Sequence, residues 1–422
     1  MKKSLLWIVV LILSISMVAA FSEVAPAEEA PVELEGKIEF MVWAGVDEAL
    51  FKVLEELNAE FQKANPGVVI DMPPAGLDFE GEIRTRLASG NIPDIWSTHG
   101  WSVIRYGSFL LPLENESWAA NLNPALKPVM VDANGHLYAF PIDLDTAGIL
   151  YNEDVLTKAG FKAADIKTWD DFKSACDAVV ALGKIPIFVT GKDRWTVGAF
   201  VDWIIPGIMT NDTCSDLLSG TFTPDEWTKD LELVAGFRDA GYFNPDYSSA
   251  TLDGAALALA SGDTAFCFMM NFVAVAAYEY NPDCNVKFMP VPAFSDGGEP
   301  YLIIGEHGAI GIWKDSESVD ACKAYVAYLA EDENLKKLAT STGSMAGLTT
   351  VTVDLGRLQS SYELTKTVVT VPYFDRVYLP SGAWDSIVST TEGVVTNQMT
   401  IKEAVAKMSE TYVSLYTQQH KK

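Results

Sequence analysis

Apolar residues in the first part of the chain switch between the spacing of a strand and that of a helix. Residues 37–43 (KIEFMVW) form an apolar run typical of a strand, and within 47–64 apolar residues recur every three or four positions, as on one helix face. Asn-Pro-Gly at 65–67 ends this helix, and the next apolar run spans 68–72. A strand, a helix and a strand of these lengths predict a βαβ unit with parallel pairing.

The same alternation continues toward the C-terminus. Two later helices begin with a capping box, Thr168 with Asp171 and Thr400 with Glu403, in which each side chain binds the backbone amide of the other residue. Residues 265–270 (AFCFMM) are continuously apolar, which is typical of a buried central strand. Because strands and helices alternate along the chain, the sequence predicts an α/β fold.

The N-terminus has the three parts of a secretory signal peptide. Two lysines at 2–3 precede an apolar run at 5–15, and small residues follow at 19–20. The apolar run is shorter than a membrane span requires, although an uncleaved anchor stays open as the alternative. We expect residues 1–20 to be removed, residues 21–36 to form an acidic linker, and the mature protein to be soluble and periplasmic or secreted.

The charge balance bears on the possible partners. The chain has 57 Asp and Glu against 30 Lys and Arg, a formal net charge of −27. A surface of this sign repels nucleic acid, so no nucleic-acid partner is expected. The charge predicts solubility and does not by itself select a function.

Five cysteines permit at most two disulfides, and an odd number leaves at least one thiol unpaired. Cys176 and Cys322 lie on apolar faces of predicted helices, which favours buried thiols over bridges. Cys267 with Cys284 is the pair to test first for a disulfide, and the sequence does not decide the pairing.

Several short motifs resemble one known family. They are Tyr-Ala-Phe-Pro at 138–141, Leu-Tyr-Asn-Glu-Asp-Val-Leu at 150–156, Thr-Trp-Asp-Asp-Phe at 168–172 and Ala-Ser-Gly-Asn-x-Pro-Asp-Ile at 88–95. Together they resemble the family 1 extracellular solute-binding proteins of carbohydrate ABC importers, with the maltodextrin-binding proteins as the nearest type.

The resemblance implies a two-lobed, periplasmic-binding-protein-like fold of type II. Each lobe would hold a mostly parallel sheet flanked by helices, and the chain would cross between the lobes three times. The expected crossings lie near 143–146, 303–306 and 345–348.

The lobe boundaries follow from the same resemblance. Lobe I would comprise 37–143 with 306–346, and lobe II would comprise 144–305 with 347–422.

A sugar presents C–H groups on its ring face and hydroxyls around its rim, so its site needs aromatic platforms and carboxylates, amides or an imidazole. By position along the family's pattern, the candidate ligand-binding residues are the aromatic Trp43, Trp101, Phe272 and Trp384 and the polar His99, Asp143, Asp145, Asn271, Glu306 and His307. Asp145 is the best placed of them, because the spacing from Pro141 to Tyr151 is kept without insertion.

One departure from the family pattern bears on the ligand. Maltodextrin binders carry acidic and basic residues after the third strand, where this chain has His99-Gly100-Trp101. This difference puts maltodextrin in question and leaves a carbohydrate as the expected ligand.

Each candidate also has a simpler interpretation. Any of the tryptophans can be a packing residue, and Trp169 and Trp227, just inside helix starts, are expected to be. Asp143 and Asp145 can instead hydrogen-bond the crossing strands. The four histidines show no metal-ligand spacing, so neither a metal nor another cofactor is expected.

We expect a monomeric capture protein, not an enzyme, that binds a carbohydrate between two lobes and delivers it to the membrane permease of an ABC importer. Three alternatives stay open: a carbohydrate-active enzyme, a sensor that signals to a receptor, and a binding protein for a polyamine or other cationic solute. Asp143, Asp145 and Glu306 beside aromatic rings would suit a cation through cation–π contact. The sequence does not reveal which sugar binds or its chain length.

Overall fold

The computed structural model describes residues 34–74, 79–99, 102–294 and 298–420. The predicted signal peptide, nearly all of the linker and the candidate Trp101 lie outside the described residues.

The strands form three sheets. In chain order they are β1 (Glu35–Met41), β2 (Gly67–Asp71), β3 (Ile95–Thr98), β4 (Phe140–Pro141), β5 (Asp143–Ala147), β6 (Ile149–Asn152), β7 (Ile185–Ile187), β8 (Thr264–Cys267), β9 (Val286–Met289), β10 (Tyr301–Gly305), β11 (Ala309–Ile312), β12 (Met345–Ala346) and β13 (Val369–Pro372).

The described residues also form α-helices. They are α1 (Ala49–Ala64), α2 (Phe79–Ser89), α3 (Lys127–Met130), α4 (Glu153–Lys158), α5 (Trp169–Ala181), α6 (Ala199–Ile204), α7 (Asn211–Leu218), α8 (Pro224–Asp239), α9 (Leu252–Ser261), α10 (Phe272–Tyr280), α11 (Val319–Leu329), α12 (Asp332–Thr342), α13 (Gln359–Tyr362), α14 (Phe374–Tyr378), α15 (Ala383–Val395) and α16 (Ile401–Gln419). No helix of the described ranges is both long enough and apolar enough to span a membrane.

The first sheet has the strand order β2-β1-β3-β11-β4, and the second has the order β7-β8-β6-β9. In the first sheet β1 pairs in parallel with β2 and β3, which confirms the predicted βαβ unit. In the second, β8 lies between β7 and β6 and all four of its residues are buried, as predicted for a central strand.

A third sheet, called the crossing sheet below, has the order β12-β5-β10-β13. Each of the three predicted crossing segments contributes a strand to it. Leu144 pairs with Met345, and Asp145 pairs with Gly305. The crossing segments therefore lie side by side and are held by backbone hydrogen bonds.

The strand pairing is mixed, where mostly parallel sheets were expected. In the first sheet β11 is antiparallel to both β3 and β4, and in the second β6 is antiparallel to both β8 and β9. Both β6 and β11 come directly from a strand of the crossing sheet. Because no crossover helix precedes them, the incoming chain sets their direction, and a βαβ unit does not.

Local signals for helix starts are confirmed. The Thr168 hydroxyl accepts a hydrogen bond from the Asp171 amide at 3.2 Å, and the Asp171 carboxylate accepts one from the Thr168 amide at 2.9 Å. The Thr400–Glu403 box is formed in the same way. Trp169 and Trp227 are both buried, as expected for packing residues.

Two small hydrophobic clusters anchor helices that matter for the site. Ile83 of α2 is fully buried with Met41, Trp96 and Tyr106, which fixes α2 against the first sheet. A separate cluster joins α8, α15 and α16. Charged residues on the outer faces of α2 and α15 are therefore held by different parts of the core.

All five cysteines are free, so the Cys267–Cys284 disulfide proposed for testing is not formed. Cys267 is 2% exposed at the end of β8, and burial raises the pKa of its thiol to about 12. The Cys284 thiol instead contacts the Ala277 carbonyl, with the sulfur 3.7 Å from the oxygen. Cys176 and Cys322 are fully buried, as expected for small apolar side chains.

Candidate functional site

Asp143 and His307 are joined where β5 meets the turn between β10 and β11. The Asp143 Oδ1 atom accepts hydrogen bonds from the backbone amides of His307, at 2.7 Å, and Gly308, at 3.2 Å. Its Oδ2 atom lies 3.5 Å from Nδ1 of His307. Asp143 is fully buried and thus fixes the path of the chain as it leaves the crossing sheet.

Aromatic rings from separate segments surround the His307 imidazole. Trp43, just after β1, meets it edge to face, with ring centroids 4.6 Å apart. Phe272, at the start of α10, stacks on it with centroids 5.3 Å apart and an interplanar angle of 21°. Trp43 also stacks with His99 at 6.3 Å. The structure therefore brings four of the predicted residues into one aromatic group.

Glu306 connects this group to a residue that sequence reasoning missed. Its carboxylate is fully buried, and Arg376 donates to its Oε1 atom at 3.1 Å and also to its backbone carbonyl. His99 Nδ1 lies 4.0 Å from the same Oε1 atom. The Arg376 guanidinium lies over the Tyr373 ring, 4.0 Å from its centroid, in cation–π geometry.

The two site histidines have opposite electrostatic environments. Burial lowers the pKa of His99 well below its ordinary value, and the positive charge of Arg376 lowers it further. Burial alone would also lower the pKa of His307, but its hydrogen bond to Asp143 and the charges of Asp143 and Asp145 outweigh this and raise it. His99 is therefore neutral near pH 7, and His307 is the more easily protonated of the two.

Both carboxylate oxygens of Asp145 accept hydrogen bonds from side chains of the protein. Its Oδ1 atom accepts hydrogen bonds from Asn271 Nδ2 at 3.0 Å, Ser344 Oγ at 3.1 Å and the Tyr362 hydroxyl at 3.4 Å. Its Oδ2 atom accepts one from the Tyr373 hydroxyl at 2.7 Å. Only 1% of the residue is exposed, and burial raises the pKa of its carboxyl. This arrangement supports the alternative in which Asp145 joins the crossing segments.

Asn271 belongs to the same network. Its Nδ2 atom donates to Asp145 and to the backbone carbonyl of Thr146, each at 3.0 Å. The residue is 1% exposed, and no hydrogen-bond partner for its Oδ1 atom is found in the described part of the protein. The Nδ2 atom of Asn271 is thus held by hydrogen bonds within the protein, and its Oδ1 atom can accept a hydrogen bond from a ligand.

A second group of charged residues was not predicted. On α2, Glu80 accepts a hydrogen bond from the Tyr106 hydroxyl at 2.9 Å. On α14, the Asp375 amide donates to Asp202 at 2.9 Å. Burial and the charge of Asp375 raise the pKa of Asp202 to about 8. Arg105 lies within electrostatic range of His99, Glu80 and Asp375, so this second group adjoins the aromatic one.

Trp384 is placed differently from the other candidates. Its ring lies against Gly198, where an added Cβ would come within 2.8 Å of the indole. The next residue, Asp385, forms an ion pair of 2.8 Å with Arg84 of α2. Within the described ranges the indole makes no ring contact with Trp43 or Phe272, so Trp384 is not part of the His307 group.

The missed residues left only a weak signal in the sequence. Asp375 and Arg376 lie in the otherwise mostly apolar run YFDRVYLP at 373–380, where a charged pair is out of place in a packing segment. Glu80 and Arg105 belong to no motif. Their relevance arises only in the folded chain, where the charge of Arg105 acts on both Glu80 and Asp375.

The assembled groups offer aromatic faces, a neutral imidazole, carboxylates and an arginine within a small volume. Among the described residues, no cluster of three or more His, Cys, Asp or Glu side chains is arranged to hold a metal ion. The arrangement is suited to binding a molecule with apolar faces and many hydroxyl donors.

Comparison with known proteins identifies the family. The model of the bacterial extracellular solute-binding proteins matches residues 56–357. The melibiose/raffinose/stachyose-binding protein MelE of Bacillus subtilis is 28% identical over 370 residues, which cover 86% of either chain. The arabinooligosaccharide-binding protein of the same organism is 24% identical and covers 81% of this chain and 80% of its own.

Solved structures show the same architecture. A sugar transporter from Bacillus licheniformis in complex with stachyose has a TM-score of 0.84 and 28% sequence identity, covering 90% of this chain and all of its own. The binding protein RafE in complex with raffinose has a TM-score of 0.75 at 20% identity, with 90% of this chain and 99% of its own covered. The two-lobed α/β fold expected from the sequence is thereby confirmed. Since the family model spans more than half of the chain, this protein belongs to the bacterial extracellular solute-binding proteins.

Proposed function

We propose that the protein captures a carbohydrate in the cleft between its two lobes and delivers it to the membrane permease of an ABC importer. The observation that carries this proposal is the group around His307. Trp43 and Phe272 provide aromatic faces there, and the Asp143 and Glu306 carboxylates are held beside them. Carboxylates paired with aromatic faces are the combination that a sugar ring requires.

The proposed ligand class is an α-galactoside oligosaccharide of the raffinose and stachyose type. Two relatives support it: MelE, named for binding melibiose, raffinose and stachyose, and the Bacillus licheniformis protein in complex with stachyose, each 28% identical to this chain. Titration by tryptophan fluorescence and by calorimetry with melibiose, raffinose and stachyose tests the assignment. Saturable binding of this series and none of maltotriose would support it; binding of maltotriose alone would contradict it.

A cationic ligand remains the main rival within the capture role. The buried acids would attract an amine, but Arg376 and Arg105 lie in or beside the same group and would repel it. We therefore include spermidine in the titration. Saturation by spermidine with no response to any sugar would overturn the carbohydrate assignment.

The protein is proposed to be a binder without catalytic activity. A glycosidase needs a carboxylic acid able to protonate the leaving oxygen. Glu306, the carboxylate beside the aromatic group, forms an ion pair with Arg376, which favours the charged form of Glu306. Incubation with raffinose followed by product analysis tests this. Released galactose or sucrose would contradict it.

Capture would couple to lobe closure. We assign residues 37–143 and 306–346 to lobe I and residues 144–305 and 347–422 to lobe II. A ligand that touches both lobes favours the closed form by its difference in affinity for the two states. To change the ratio of closed to open protein from 1:99 to 99:1, the ligand must supply about 5.5 kcal/mol. A micromolar Kd corresponds to about −8 kcal/mol, so such a ligand can supply the shift.

The location and the partner belong to the same proposal. The N-terminal pattern of residues 1–20 supports export with cleavage of the signal peptide, followed by action as a soluble monomer outside the cytoplasm. Purification of the exported protein and sequencing of its N-terminus tests the cleavage. A mature chain that still begins at Met1 would contradict it.

A further inference from the structure

Glu306 and Arg376 form an ion pair that is buried on both sides. Glu306 is fully buried, and Arg376 is 7% exposed. The guanidinium donates to Oε1 of Glu306 at 3.1 Å and also to the backbone carbonyl of the same residue. Removing either member of such a pair leaves the other as a buried charge without a counter-charge, which is costly. The pair is neutral as a unit only while both members are present.

The segment that carries Arg376 is fixed by further contacts. The guanidinium lies over the Tyr373 ring, 4.0 Å from its centroid. The Tyr373 hydroxyl donates to Asp145 at 2.7 Å, and the amide of Asp375 donates to Asp202 at 2.9 Å. These contacts anchor the start of α14 and hold the guanidinium against its carboxylate partner.

The ion pair adjoins the aromatic group around His307. Nδ1 of His99 lies 4.0 Å from the Oε1 atom of Glu306 that Arg376 contacts, and the His99 ring stacks with Trp43 at 6.3 Å. Glu306 also directly precedes His307, whose ring meets Trp43 edge to face. A molecule that packs on these rings would therefore lie close to both charges of the pair.

Buried acids outnumber buried bases in this part of the protein. Five acids in and beside the site are at most 3% exposed, namely Asp143, Asp145, Asp202, Glu306 and Asp375. Among the described residues, no Lys or Arg other than Arg376 is buried to a comparable degree. Burial lowers the pKa of Arg376, but the charges of Glu306 and other neighbouring acids outweigh this effect and raise it. Arg376 therefore stays charged and acts as the buried counter-charge of these acids.

We propose that Arg376 is a specificity-determining residue that restricts the site to uncharged ligands. The proposal rests on the proposed carbohydrate function and deepens it, since it states which sugars the same site would reject. An ammonium group on a ligand would approach the charge of Arg376, and a carboxylate would approach that of Glu306. Because these two charges already neutralise each other, neither can pair with the ligand without losing its present partner. A neutral sugar needs no counter-charge.

Charged and uncharged forms of one sugar test the proposal by calorimetry. They are raffinose, raffinose with a galactose hydroxyl replaced by an amine, and raffinose with the primary galactose hydroxyl oxidised to a carboxylate. The wild-type protein should bind each charged form at least about 10-fold more weakly than raffinose. A charged form that the wild type binds as tightly as raffinose would overturn the proposal.

Arg376→Gln removes the charge and keeps a hydrogen-bond donor at the same position. The affinity for the amine relative to raffinose should rise by about 10- to 100-fold, because Glu306 can then pair with the ligand. The ratio of the two affinities separates selectivity from folding, since a structural defect would weaken both sugars alike. Arg86→Gln is the matched control: Arg86 forms a half-buried pair with Glu39 at 2.6 Å outside the aromatic group, and its loss should leave the ratio unchanged.

Glu306→Gln tests the other member of the pair. It removes the carboxylate partner of Arg376, so the affinity for the carboxylate form relative to raffinose should rise by about 10- to 100-fold. Arg376→Lys keeps the positive charge and should keep the rejection of the amine. If Arg376→Gln fails to fold, the wild-type ratios and Glu306→Gln decide. Affinity ratios that are the same in both Gln variants as in the wild type would overturn the role of Arg376.

This role and the proposed function fail in different ways. Tight binding of raffinose together with unchanged ratios in the variants would overturn the role of Arg376 and leave carbohydrate capture intact. A wild-type protein that binds neither raffinose nor any other carbohydrate would overturn the proposed function and the role of Arg376 with it.

Discussion

The Tyr373 hydroxyl donates a 2.7 Å hydrogen bond to Oδ2 of Asp145, and this contact joins the segment after β13 to the middle of β5. Three further donors to Asp145 come from Asn271, Ser344 and Tyr362. Asp145 therefore ties together segments that meet at the crossing sheet. The carboxylate is expected to matter first for the geometry of that sheet and only through it for the ligand.

Replacement of Asp145 by Ala should destabilise the protein by about 3 kcal/mol, because it leaves several buried donors without an acceptor. Tyr373→Phe removes one donor and should cost about 2 kcal/mol. Urea unfolding measures both. Tyr328→Phe is the control, since its hydroxyl contacts the exposed Glu60 at 3.0 Å, and it should change stability little. An Asp145→Ala protein as stable as the wild type would contradict the structural role, and unchanged sugar affinity would remove Asp145 from the binding residues.

Trp43→Ala and Phe272→Ala should weaken sugar binding, since each removes an aromatic face beside His307. The expected loss is about 2 kcal/mol, or roughly 30-fold in Kd. Calorimetry with stachyose measures it. Trp313→Ala removes another half-buried indole, just after β11, and should leave Kd unchanged. Equal losses in all three variants would indicate a general effect on folding.

The dependence of stability on pH should change when Asp202 becomes Asn. The pKa of Asp202 is raised to about 8 in the folded protein, against an ordinary value of 3.8. At a pH below the pKa of the unfolded chain, the carboxyl is protonated in both the folded and the unfolded state. Its burial then does not lower the free energy of unfolding. Stability is lost as the pH rises toward the folded pKa, since the unfolded chain ionises more easily.

Asp202→Asn keeps an acceptor for the Asp375 amide and removes this titration. The stability of the Asp202→Asn variant relative to the wild type, measured as free energy of unfolding, should therefore increase from pH 5 to pH 8. Urea unfolding at several pH values measures it. A difference that does not vary with pH would contradict the raised pKa. Asp212→Asn, at the exposed start of α7, is the control for the substitution of an aspartate by asparagine.

The ion pair between Arg84 and Asp385 joins helices held by different hydrophobic clusters, so it should contribute to the closed state. Both side chains are exposed, at 40% and 61%, and such pairs contribute about 0.2–1 kcal/mol. Arg84→Glu should raise the Kd for stachyose by about two- to fivefold, and the added Asp385→Arg substitution should restore it.

Salt provides an independent check on this pair. In 0.5 M NaCl the effect of Arg84→Glu should nearly vanish, because charges at the surface are screened. Lys184→Ala breaks another exposed pair, with Asp263 at 2.9 Å, and should not change Kd. A loss of affinity in Arg84→Glu that salt does not reduce would point to a steric effect.

Short-range patterns in the sequence were sufficient for the local elements. The capping boxes at Thr168 and Thr400 and the central strand β8 all lie where these patterns predicted them. Each depends on neighbouring residues, through a backbone amide that needs an acceptor or an apolar run that must be buried. The candidates near the strand ends, such as Trp43, Phe272 and His307, followed from position along a family pattern.

The partners of those residues were decided only by the tertiary structure. Arg376 meets Glu306 although 70 positions separate them, and Arg84 pairs with Asp385 across 301 positions. The sequence by itself determined the α/β class, the local elements and the kinds of side chain available. The packing of the elements against one another determined which charges pair, because burial and pairing depend on distances between elements that no local pattern encodes.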